Sequence, residues 1–206
     1  MIQVEPFSFE AMRWEDVSTV MAIEHRSFTL PWSANTYRHE LLENKHAHYF
    51  VLRHRDQESI PRLRWLSRWM RRPPVLQMIG YGGFWMITDE AHISTIAIDI
   101  GWRGRSLGEY LLASMIDRSM ALNAAQVTLE VRETNRVAQN LYRKYGFEIT
   151  GKRLRYYQDN DENAFLMIAY GVNSEGYREK LRRLTANLQA RLTQAAGSAL
   201  PNGAAG

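Results

Sequence analysis

The 206-residue chain contains no cysteine. Disulfides and thiolate metal sites are therefore excluded, and a reducing cytoplasm is the expected setting. No apolar run reaches the roughly 18 residues that a membrane-spanning helix needs. The opening MIQVEPFSFEAMRWED carries acids early and has no apolar stretch of the secretory kind. Histidine is sparse. His25, His39, His46, His48, His54 and His92 form no metal-ligand spacing, so no metal is expected. What is present is ordinary for a soluble globular chain: 45% hydrophobic and 23% charged residues, enough to bury a sizeable core.

The formal net charge of +4 hides an asymmetry. Residues 53–72 hold seven Arg against Asp56 and Glu58. Residues 173–206 hold five Lys or Arg against Glu175 and Glu179. The remainder therefore carries a net charge of −4. The basic character sits in two appendages on a mildly acidic core, so overall charge does not argue for DNA binding.

Hydrophobic periodicity gives the organisation. Val17, Val20 and Met21 predict a helix over about 14–27. Pro31 stops it, and Ser33 caps a second helix that runs to about Asn44. Tyr49–Leu52 reads as a short buried strand. Leu76–Ile87 and Ala91–Ile98 read as two more, joined by a tight turn. A helix over about 107–122, a strand at Gln126–Val131, a helix over about 136–145 and strands near 147–152 and 164–170 follow. Two strand–helix–strand crossovers after a meander predict an α/β protein with a mixed sheet. The domain is expected over 1–172, with an insert at about 53–75. A C-terminal helix and tail follow over 173–206, with Ser174 as N-cap.

Two stretches carry chemistry. In Ile93–Ile116 a strand enters the turn DIGWRGRSLG and then an apolar-periodic helix. Amides at a helix N-terminus make an anion site, and Arg103 and Arg105 add charge beside it. Solvated arginines on a surface loop would look the same. In Leu129–Phe147 (LEVRETNRVAQNLYRKYGF) the strand alternates. Glu130 lies on the face opposite Leu129 and Val131. Asn135 is a natural N-cap, and Gly146 ends the helix. Taken alone, Glu130 and Tyr142 are equally well a surface carboxylate and a core ring.

The two stretches in this order resemble the signature of the GNAT acetyltransferase superfamily. The pieces IEHRSFTLPWSANTYRHEL and RLRYYQDNDENAFLMIAY resemble its ribosomal-protein alanine N-acetyltransferase (RimI-type) branch, which acetylates protein N-termini. The resemblance spans about residues 10–170 without the insert. It implies a mixed, mostly antiparallel sheet splayed at its centre and flanked by helices. It implies acetyl-CoA as co-substrate, with the pyrophosphate on Arg103-Gly104-Arg105-Ser106-Leu107-Gly108. Ser106 stands where the family usually has glycine. The pantetheine would run along Ile96, Ala97 and Ile98, near Asn135. Glu130 matches the family's proposed base, and Tyr142, facing the thioester sulfur, its proposed acid. The acceptor would lie between Leu30-Pro31-Trp32 and the Tyr156–Tyr157 loop, with Glu24 helping to orient the amine.

A protein α-amine, with a pKa of about 7.7–8.0, is partly neutral near pH 7, whereas a lysine at about 10.4 is not. A modest base therefore suffices for an N-terminus. Other acceptors remain open: a lysine, a polyamine or an aminoglycoside. So does a non-catalytic acetyl-CoA-binding adaptor. Within the insert, Arg62–Arg72 is amphipathic, with Leu63, Trp65, Leu66, Trp69 and Met70 on one arc. It suits a contact with anionic lipid or ribosomal RNA, or packing on the domain. The tail helix, with Tyr177, Leu181, Leu184, Leu188 and Leu192 in register, suits either packing or a dimer.

Overall fold

The computed structural model describes residues 2–55 and 76–198, with side chains to residue 195. Five α-helices, two single-turn 3-10 helices and seven strands are described. The strands are β1 (Phe7–Ala11), β2 (Ala47–Arg55), β3 (Leu76–Ile87), β4 (Glu90–Ile98), β5 (Gln126–Arg132), β6 (Glu148–Tyr157) and β7 (Glu162–Tyr170). The helices are α1 (Val17–Ser27), α2 (Ala34–Leu42), α3 (Leu107–Ala121), α4 (Arg136–Lys144) and α5 (Glu175–Ser198). The strands form one sheet in the order β1-β2-β3-β4-β5-β7-β6. Only β4 and β5 run parallel; every other neighbouring pair is antiparallel. The crossover through α3 makes that single parallel pair possible.

Both faces of the sheet are covered at β2, which explains the unbroken apolar run in that strand. Tyr49 and Val51 enter one core with Val17, Val20 and Ile23 of α1 and Tyr37 of α2. Phe50 and Leu52 enter the other, with Leu107, Leu111 and Met115 of α3. A strand buried on both faces loses the alternation of a half-exposed one. The predicted caps form: Ser33 Oγ accepts from Thr36 N at 3.1 Å, and Ser174 Oγ from Tyr177 N at 3.2 Å.

Three sequence expectations change. β1 was not predicted. Its Phe-Ser-Phe-Glu alternation is a strand signal, but five residues without their partner in view are weak evidence. The insert does not begin at 53. Arg53, His54 and Arg55 continue β2 and pair with Met78, Gln77 and Leu76 of β3. The Arg62–Arg72 amphipathic segment lies outside the described residues. Finally, Tyr156 and Tyr157 end β6 rather than occupying a loop. A register shift lets the strand continue: Arg155 takes a φ of +51°, and its amide donates to Asn163 Oδ1 at 3.1 Å.

The tail helix packs on its own domain. Leu181, Leu188 and Leu192 are buried in the core beneath α3, and Tyr177 OH donates to the Tyr145 carbonyl at 2.7 Å. The apolar stripe of α5 is thus covered without a second copy.

Candidate active site

The cleft forms where the sheet opens. β4 and β5 pair from Glu90↔Gln126 to Ile93↔Leu129, and pairing stops there. Beyond that line a cleft of about 560 Å³ opens between them. Ile96 of β4, Glu130 of β5, and Asn135 and Tyr142 at α4 line it. Glu24, Leu30, Trp32, Tyr156 and Tyr157 also line it. Residues from five separate elements of the sequence therefore converge on one space.

Glu130 sits at the floor, its side chain 6% exposed. Oε2 lies 3.1 Å from His92 Nε2, and Oε1 lies 2.8 Å from Arg153 Nη2. Burial pushes its carboxyl up. The His92 hydrogen bond and the charges of His92 and Arg153 outweigh this and hold it below the usual carboxylate range. His92 Nδ1 in turn lies 2.9 Å from Thr128 Oγ1, which donates to Glu90 Oε1 at 2.8 Å. A hydroxyl has one proton. Because Thr128 gives it to Glu90, Nδ1 must be the donor toward Thr128. Neither His92 nor Arg153 was singled out from sequence. The signal was strand alternation, since Thr128 and Glu130 share a face, but only the parallel register puts His92 opposite Thr128.

Tyr142 is buried against Phe147, the ring centroids 5.7 Å apart. Burial raises its phenol above the ordinary tyrosine value. Asn135 caps α4, its Oδ1 accepting from Ala138 N at 3.1 Å. That leaves its side-chain amide as a donor toward the cleft.

Each oxygen of Glu24 holds one hydrogen bond within the protein. Its carboxylate accepts from Trp32 N at 2.9 Å and from Tyr37 OH at 3.0 Å. It therefore braces the Leu30-Pro31-Trp32 turn from beneath. Burial raises its pKa against those hydrogen bonds. Pro31 shapes that turn, while its neighbours Leu30 and Trp32 line the cleft. Trp32 stacks on Trp85 at 6.5 Å, and Trp85 on His92 at 5.7 Å. This aromatic row runs from the Leu30-Pro31-Trp32 turn to His92, the partner of Glu130. Tyr156 and Tyr157 meet edge to face at 5.2 Å. Arg132 lies 3.9 Å over the Tyr157 ring, anchored by Asp159 at 2.7 Å and Glu162 at 2.9 Å.

The start of α3 offers the anion site. Ser106 is its N-cap but makes no side-chain cap, so the first-turn amides are left to an external acceptor. Gly104 has a φ of +77°, and a Cβ built on it would meet no atom within 4 Å, so its surface is open. Leu107 and Gly108 begin the helix, with Leu107 buried. Ala97 and Ile98 are buried in the two cores, so only their backbone edge faces the splay. Arg103 does not point outward as a free charge. Its guanidinium donates to the Ile98 carbonyl at 2.9 Å and Ser27 Oγ at 3.0 Å. Arg105 lies 4.9 Å over the Trp102 ring. A splayed strand edge leading to open helix amides fits an elongated ligand with an anionic end. Among the described residues, no group of three or more His, Cys, Asp or Glu is placed to hold a metal.

Comparison with known proteins agrees with this geometry. The model of the acetyltransferase (GNAT) family matches residues 17–147. A Bacillus subtilis protein provisionally named a ribosomal protein bS18-alanine N-acetyltransferase is 39% identical over 156 residues, 76% of this chain and 90% of its own. The crystal structure of the ribosomal-protein-S18-alanine N-acetyltransferase from Escherichia coli superposes with a TM-score of 0.64. It is 26% identical and covers 80% of this chain and 94% of its own. A spermidine/spermine N-acetyltransferase from Vibrio cholerae shares the fold, with a TM-score of 0.60 at 18% identity, covering 81% of this chain and 93% of its own. The fold alone thus does not choose the acceptor. With the splayed sheet, the family match and the identity to the Bacillus protein together, the chain belongs to the GNAT family of acetyltransferases.

Proposed function

We propose that this protein acetylates the N-terminal α-amine of a protein, using acetyl-CoA. The reading includes a ribosomal protein beginning with Ala as the acceptor, after the names of its relatives. The observation that carries it is that Glu130, the Leu30–Trp32 turn braced by Glu24 and the Tyr156–Tyr157 end of β6 line one cleft. Aromatic and apolar side chains around a carboxylate suit the extended end of a peptide.

Bound acetyl-CoA supplies the acetyl group as a thioester. The chain supplies proton management and orientation. Glu130, held below the usual carboxylate range, is a weak base alone toward an amine of pKa about 7.7–8.0. It therefore works on the fraction of the amine that is already neutral, taking up the proton the nitrogen gives up as it bonds to the thioester carbonyl carbon and the C–S bond breaks. His92, hydrogen-bonded to Oε2, fixes the orientation of the carboxylate. Arg153 offsets the negative charge of Glu130. Tyr142, whose phenol is raised by burial, gives up its proton reluctantly. Its role is hydrogen-bond donation to the sulfur that leaves. Asn135 orients the pantetheine through its amide.

Transfer to a small panel tests the acceptor: peptides beginning Ala, Ser and Met, an N-terminally blocked peptide with an internal lysine, and spermidine. Acetylation of free N-termini alone is expected. Transfer only to lysine or spermidine would keep the fold and co-substrate but replace the acceptor. No transfer by a protein that binds acetyl-CoA would favour a non-catalytic adaptor.

A further inference from the structure

The tail helix reaches the anion site from outside the part of the chain that matches the family. α5 lies beyond residues 17–147, and its Arg191 is 46% exposed. Arg191 Nη1 donates to Ser106 Oγ at 3.1 Å, and Nη2 to Glu109 Oε2 at 2.8 Å. Both partners belong to the start of α3, where first-turn amides lack a side-chain cap. A guanidinium has five N–H donors in a rigid fork that matches phosphate geometry. Two are used here, so three remain for a ligand.

The local charge fits. Glu109 would repel an anion, but it is 9% exposed and held by Arg191, Lys144 at 2.5 Å and Tyr145 OH at 3.0 Å. Two cations therefore face one carboxylate, and the excess is positive. Ser106 adds a second argument. It holds a left-handed φ of +60°, a conformation that disfavours a residue with a Cβ. Its hydroxyl does not cap α3; it receives Arg191. The serine in a glycine position and the arginine on the tail are thus two halves of one contact.

We infer that Arg191 of α5 binds the pyrophosphate of acetyl-CoA, making the C-terminal helix part of the co-substrate site. This rests on the acetyl-CoA reading above. The alternative is that Arg191 merely ties α5 to α3 through Glu109.

Calorimetric titration of the full chain with CoA, dephospho-CoA and pantetheine decides between them. Pantetheine lacks the phosphates, and dephospho-CoA lacks only the 3′-phosphate. Arg191→Gln is expected to weaken CoA and dephospho-CoA about tenfold each, the loss of a charge-assisted contact, and to leave pantetheine unchanged. Glu109→Gln breaks the same tether but keeps the guanidinium, so CoA affinity should hold or rise. Equal weakening by both variants would make the contact structural and overturn the inference. So would unchanged CoA affinity in Arg191→Gln, although the acetyl-CoA reading would stand. A penalty that vanishes with dephospho-CoA would move Arg191 to the 3′-phosphate and overturn the pyrophosphate assignment. Wild-type protein that binds neither CoA nor dephospho-CoA would remove the acetyl-CoA reading, and this inference with it.

Discussion

Glu130 Oε2 meets His92 Nε2 at 3.1 Å on the line where β4 and β5 part. The contact follows from register. His92 is paired with Thr128, and Glu130 lies two residues farther along the same face. The parallel pairing ends at Ile93↔Leu129, so Glu130 is the first residue of β5 beyond it and lines the cleft. The chemistry of this site is therefore a consequence of how far the parallel ladder runs.

Glu130→Gln keeps the shape and removes the charge. Turnover on an N-terminal peptide should fall by about 100-fold, the lower range for a lost general base. CoA affinity, measured by calorimetry, should stay within twofold or so, because Glu130 lies apart from the start of α3. Wild-type turnover would take Glu130 out of the mechanism.

Tyr142→Phe removes one hydroxyl from a buried ring that still packs on Phe147. A fall of about tenfold in turnover is expected, with KM for acetyl-CoA little changed. Single-turnover rates would locate the loss in the transfer step. Unaltered single-turnover rates would assign Tyr142 to packing alone.

The two cleft carboxylates should give stability slopes of opposite sign. Glu130 is depressed on folding, so its stabilisation is present above the unfolded pKa and lost as pH falls through the folded value. Glu24 is raised, so its contribution is fullest below the unfolded pKa and declines as pH rises through the folded value. Urea titrations at about pH 4 and about pH 8 read this directly. Relative to Glu24→Gln, wild type should lose stability with rising pH. Relative to Glu130→Gln, it should gain. The same sign for both would contradict the environments described.

Arg55 and Leu76 are register partners at the mouth of the insert. Replacing residues 56–75 by Asn-Gly should close β2 and β3 as a hairpin, since a two-residue turn suits paired strand ends. The shortened protein should fold and acetylate peptides at the wild-type rate. Failure to fold, seen as lost near-ultraviolet dichroism, would show that the insert packs on the domain.

Much of this protein was legible in its sequence, for local reasons. Periods of 3.6 residues marked four of the five α-helices described, and Ser33, Asn135 and Ser174 marked the starts of three, because capping needs only three or four adjacent residues. The family signature in Arg103–Gly108 and Leu129–Phe147 is likewise contiguous. What adjacency does not determine came from the tertiary structure alone. Whether β1 has a partner depends on residues 50–54. That Glu24 braces the Leu30–Trp32 turn depends on Trp32 and Tyr37. Whether Glu130 is alone or paired depends on His92, 38 positions away and joined to it only by a parallel register. And whether Ser106 caps its helix depends on Arg191, which 85 residues of chain must fold to deliver. Local propensity can name the groups; only long-range packing decides which of them meet, because each such contact is made by closing a loop of chain.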